Sequence, residues 1–153
     1  MSTHPSEKPK SLSGDRDPLG GLSDAIKLIR DIPRTVYQVY LKSRHEIGVL
    51  LIQRWNEIKT AKLYCITRRM DFWTTLAERV DVHERTLREC KRFAEEYTPE
   101  EVNELVSKGV TWTHILHIMT IHSTEKREQI IERIHNEGLT AAALSAELLA
   151  ENP

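Results

Sequence analysis

Arg85, Arg88, Lys91 and Arg92 recur at spacings of three and four residues in the stretch ERTLRECKRFAEEY, Glu84–Tyr97. On a helix such spacing groups their cationic ends along one exposed side. The chemistry on offer is anion recognition. The Arg85 and Arg88 guanidinium forks suit the edges of guanine, and Thr86 suits a phosphate or a thymine methyl. Lys91 and Arg92, with Arg68 and Arg69 upstream, suit phosphates. Glu84 and Glu89 oppose this, because they carry the phosphates' own sign. The plain alternative is a solvated scaffold helix, or one that touches protein.

Those side chains need an element to present them. DFWTTLAERVDVHERTLRECKRFAEEY, residues 71–97, reads as helix, tight turn, helix. Leu76, Ala77 and Val80 share a face of the first helix, Val82 follows the turn, and Leu87 and Cys90 share a face of the second. Two helices meeting steeply across three or four residues require that pattern. Ala77 is small enough for a close approach. Asp81 stands where such turns commonly place glycine, and Asp tolerates the left-handed backbone better than most residues. Asp71 is the expected cap of the first helix, and Phe72 and Trp73 are expected core anchors. The sequence therefore predicts a helix-turn-helix whose recognition helix, about Glu84–Tyr97, enters a DNA major groove.

Other chemistries find less support. His114, His117 and His122 invite a zinc site, but no Cys or acidic ligand stands at the required spacing. His114, at a helix start, is expected to satisfy a backbone group instead. Glu95, Glu96, Glu100, Glu101 and Glu104 fall on helix ends and exposed faces, not in a cleft that would shift their pKa values. Cys65 and Cys90 show neither metal nor redox spacing and read as reduced thiols. No Gly-rich phosphate loop or nucleophile motif occurs. No catalytic residue, metal or cofactor is expected, and the chain is not expected to be an enzyme.

In the 153 residues, 39% are apolar and 29% charged, as in ordinary globular domains. No apolar run approaches the ~18 residues of a membrane span. The N-terminal segment has no apolar core of the kind a secretory signal needs. The net charge of −1 is unevenly spread. Residues 41–92 hold 12 Lys or Arg against 7 Asp or Glu, whereas residues 93–153 hold 4 against 11. A cationic part over an anionic body suits a phosphate binder, and almost equally a solvated helical bundle.

In chain order, residues 1–21 read as a disordered arm and residues 22–150 as one helical domain. Ser23 is expected to cap a short helix carrying Ile26, Leu28, Ile29 and Ile32. Arg34–Lys62 reads as one long amphipathic helix carrying Val36, Val39, Tyr40, Ile47, Leu50, Leu51, Trp55 and Ile58, with Gly48 marking a close crossing. Its length, and Trp55 among aliphatics, suggest a homodimer surface. Coverage by the chain's own helices is the alternative. Thr98, Pro99 and Glu101 form a capping box, and Thr111, Ser123 and Thr140 cap three further helices. Gly109 and Gly138 are expected helix ends. No strand pattern or internal repeat appears, so the fold class is all-α: a multi-helix domain with a helix-turn-helix core and one long amphipathic helix.

Several motifs in order resemble the N-terminal domain of the YhcG-like family of bacterial proteins. They are His45-Glu46-Ile47-Gly48, the region Leu76–Phe93, Val110-Thr111-Trp112-Thr113-His114, and the closing stretch Arg127–Leu144. In that family a helical domain precedes a PD-(D/E)xK nuclease. The strand pattern of the nuclease is missing here, so nuclease activity is not implied. The C-terminal half is also similar to the helix-turn-helix domain of ParB and KorB partition proteins, through Lys108-Gly109, His114 and Glu137-Gly138-Leu139. Ile115 departs from the small residue expected after that histidine. Both resemblances imply DNA binding.

The expectation is thus a non-catalytic, cytoplasmic, bacterial protein that binds double-stranded DNA through Arg68, Arg69, Arg85, Thr86, Arg88, Lys91 and Arg92. A homodimer through the Arg34–Lys62 helix is part of it. The alternative is a helical interaction module for a separately encoded protein partner, with no DNA contact.

Overall fold

The computed structural model describes residues 19–31, 37–60 and 69–152. Eight helices occur among them, and no strand: α1 (Leu22–Asp31), α2 (Tyr37–Thr60), α3 (Arg69–Val80), α4 (Glu84–Glu96), α5 (Pro99–Ser107), α6 (Trp112–Ile118), α7 (Thr124–Glu137) and α8 (Ala141–Glu151). The all-α expectation is met.

Helix α2 is the spine. Its 24 residues span roughly 36 Å, and its principal packing partner is α4, with α1 and α5 alongside. Gly48 sets the distance of closest approach. A Cβ there would lie 2.0 Å from the Cys90 carbonyl oxygen and 2.7 Å from Ala94 Cβ. A glycine that costs a lone helix stability therefore lets two backbones touch. Leu41, Ile47, Leu51, Trp55 and Ile58 of α2 are buried in one core cluster with Leu76 and Val80 of α3 and Leu87, Cys90 and Phe93 of α4. Trp55 stacks near Phe72 at 5.3 Å and near Trp73 at 6.1 Å, so it belongs to the core and not to a dimer surface. Phe93 meets the rings of His45, Tyr97 and Trp112 at 5.4 to 5.6 Å, joining α2 and α4 to α6.

Local sequence sets the helix ends. Asp81 adopts φ 53°, the left-handed conformation expected of the residue replacing glycine in the turn. The turn to α4 runs Asp81-Val82-His83, and the His83 Nδ1 accepts from the Arg85 N–H at 3.1 Å, capping α4. Thr98 and Glu101 form the expected reciprocal box at α5. Ser123 and Thr140 cap α7 and α8, and Gly138, at φ 67°, ends α7. Arg133 of α7 holds both oxygens of Glu147 of α8, at 2.8 and 2.9 Å.

Three local expectations change. Leu19–Gly21, placed in the disordered arm, form a turn that seats Leu19 in the core; residues 1–18 lie outside the described residues. Helix α1 starts at Leu22, so Ser23 is inside it, buried, and not its cap. On the same helix Ile26 is fully buried, whereas Leu28 is 73% exposed. Helix α3 starts at Arg69, so Asp71 lies within its first turn instead of capping it. The outer residues of the expected long helix, 34–36 and 61–62, and Ile32 lie outside the described residues.

Candidate interaction surfaces

The outer face of α4 holds the cations singled out for DNA, and each faces a carboxylate on the same helix. Arg88 donates from Nε and Nη2 to Glu84 Oε1 at 3.1 and 2.9 Å, and its guanidinium lies 4.8 Å from the centre of the Trp73 ring. Lys91 pairs with Glu95 at 3.0 Å, and Arg92 with Glu96 at 2.5 Å. Arg85, the most exposed at 82%, stands 3.6 Å from Glu89. Four cations and four acids between Glu84 and Glu96 leave the helix with no net charge. Thr86 is half-buried, Arg69 opens α3, and Arg68 lies outside the described residues. The predicted cationic surface is thus a band of i,i+4 ion pairs. Neighbour spacing, which made the cations look clustered, placed the acids equally within reach.

At its C-terminal end α4 is tied into the body. Arg92 Nη2 donates to the Met119 carbonyl, just past α6. Arg127 of α7 reaches the same carbonyl at 3.2 Å, the Ile121 carbonyl at 2.7 Å and Glu96 at 2.7 Å. Partial burial pushes the Glu96 carboxyl up, but hydrogen bonds and charge from Arg127 and Arg92 outweigh it, and its pKa falls below the ordinary 4.5. Arg92, expected to hold a phosphate, satisfies a helix-end carbonyl in this fold. Arg127 had a local signal only as the first residue of a resemblance motif.

His114 does what its position at a helix start suggests. Its Nδ1 accepts from the Thr111 N–H at 3.0 Å, so the other ring nitrogen carries the hydrogen and donates to the Leu139 carbonyl at 2.8 Å. One ring closes the cap of α6 and fastens the loop before α8. No group of three or more metal-ligating side chains occurs among the described residues. Cys90 is a buried free thiol, and Cys65 lies outside the described residues. No helix among the described residues is long and apolar enough to cross a membrane.

A second surface lies along α2, where α1 and α5 flank it. An open groove of about 540 Å³ is lined by Lys42, Glu46, Val49, Leu50 and Gln53 of α2, with Ile29 of α1 and Val102 of α5 on its sides. Apolar and polar side chains share its lining, a mixture common to protein-binding surfaces. The sequence placed Leu50 on the buried face of the long helix; the fold leaves it half-exposed here. Leu28, next to Ile29, adds an exposed apolar side chain on α1.

No protein-family model, no curated protein and no solved structure matches this chain.

Proposed function

We propose that this chain is a non-catalytic helical interaction module that binds protein through the groove along α2. The observation that carries the reading is a contrast between two surfaces. The groove offers Val49, Leu50 and Ile29 among polar side chains, whereas every candidate DNA-reading cation of α4 already faces a carboxylate on its own helix. Duplex binding at physiological salt draws on several net phosphate neutralisations, and an α4 of zero net charge supplies none. The capped, tied helices suit a rigid platform.

One feature favours a second reading, DNA binding by α4. Helix α3, the three-residue turn with Asp81 at φ 53°, and α4 follow the order of a helix-turn-helix, and the YhcG-like and ParB-like motifs point the same way. Exposed i,i+4 pairs are worth only about 0.3–0.5 kcal/mol each, so phosphates can displace them. A mobility-shift assay on random duplex DNA at about 50 mM and about 200 mM salt separates the two. The interaction reading predicts no shift at either concentration. A shift that weakens with salt, and that Arg88→Ala alters, establishes the DNA reading.

A further inference from the structure

The exposed side of α2 is complementary to itself when read in reverse, a cation at one end facing an acid at the other. Lys42 and Glu57 stand equally far on either side of the Val49–Leu50 step, and so do Glu46 and Gln53. These six residues fall along one side of the helix, opposite Gly48 and the α4 contact. Lys42, Glu46, Gln53 and Glu57 are exposed, and Val49 and Leu50 are half-exposed. Lys42 and Glu46 are four residues apart, yet neither has an ion pair among the described residues, unlike the cations on α4.

Building on the interaction-module reading, we propose that the occupant of the groove is a second copy of this chain, with the two α2 helices packed antiparallel about a two-fold axis at Val49–Leu50. Under that axis the same patch meets itself, as an isologous contact requires. Lys42 comes level with the partner's Glu57, and Glu46 with the partner's Gln53. Val49 and Leu50 meet their counterparts at the centre. The two outer ion pairs lie roughly 22 Å apart along the helix axis, and the stripe between them carries no like-charge opposition. Register and direction follow from charge: a parallel pairing would set Lys42 against Lys42 and Glu57 against Glu57, which costs affinity. Glu57 also pairs with Arg54 at 2.8 Å within the chain, leaving its second oxygen for the partner. An interface of this extent is at the small end for a specific complex, so association on the order of 10–100 µM is expected.

Sedimentation of the full chain, followed up to about 200 µM, tests this. The wild type is expected to shift from monomer to dimer over that range. Lys42→Glu and Glu57→Lys are each expected to weaken dimerisation by about tenfold or more, and the double variant to recover most of the loss, because each ion pair re-forms with its signs exchanged. Both positions are exposed, so an unchanged melting temperature confirms that folding is intact. A wild type that stays monomeric overturns the proposal, and so does a double variant no tighter than the singles. A photo-crosslinking residue in place of Leu50 separates this failure from that of the wider reading. Adducts of twice the chain mass support the second copy. Adducts only with a different protein overturn it and leave the interaction module standing. No adduct of any kind defeats both.

Discussion

Single residues here act mostly as fasteners between helices. Gly48 shows it most sharply, since the atom that a new Cβ would strike is a backbone oxygen of α4 and not a movable side-chain end. Gly48→Ala is expected to force α2 and α4 apart and destabilise by about 1–3 kcal/mol, a fall of roughly 2–4 °C in melting temperature per kcal/mol. An unchanged melting curve would mean that the crossing is looser than the geometry indicates. His114→Ala leaves the Thr111 N–H and the Leu139 carbonyl without their ring partner, an expected cost of about 1–3 kcal/mol in chemical denaturation. Glu96 adds a pH dependence. Its folded pKa lies below its ordinary value, so its stabilisation is present above the unfolded pKa near 4.5 and is lost as pH falls through the lower, folded value. Glu96→Gln should therefore flatten the acid limb of the stability curve. An identical slope in the two proteins would exclude Glu96 as a contributor.

At the scale of elements, α4 and α2 have opposite surfaces. Helix α4 closes on itself, with acids and bases alternating at pairing distance around a buried Leu87, Cys90 and Phe93. Helix α2 buries one side and on the other sets Lys42 and Glu46, in no ion pair among the described residues, beside two half-exposed apolar side chains. If the carboxylates of α4 are what withhold it from phosphates, removing them should expose the latent cations. The triple variant Glu84→Gln, Glu89→Gln, Glu95→Gln is expected to retard duplex DNA at about 50 mM salt where the wild type does not. Equal retardation of the two proteins would show that the ion pairs do not neutralise the helix. Helix ends were the most legible elements in the sequence. Thr98, Thr111, Ser123 and Thr140 cap through atoms three residues away, and Asp81 bends the chain through its own backbone, so a short window contains all the physics. Asp71 shows where such windows fail: a capping residue type can equally sit inside the first turn of a helix.

For the whole molecule, class and helix order could be read from periodicity, but the choice of surface could not. Spacing showed that Gly48 marked a crossing, not that Cys90 and Ala94 were across it. Periodicity put Leu50 on the apolar side of α2, and only the placement of α1 and α5 leaves it lining a groove. The cations of α4 were identified individually, yet Arg92 reaching Met119 and Arg127 reaching Glu96 depend on how α6 and α7 return to α4. Those contacts join residues distant in sequence, and no local pattern encodes them. The proposed division of labour assigns binding to α2 and support to α4. Photo-crosslinking from two positions in living cells, Leu50 in the groove and Arg85 on α4, tests it most directly. Protein adducts from Leu50 with no nucleic-acid adduct from Arg85 are predicted; nucleic acid captured at Arg85 with nothing at Leu50 would contradict it.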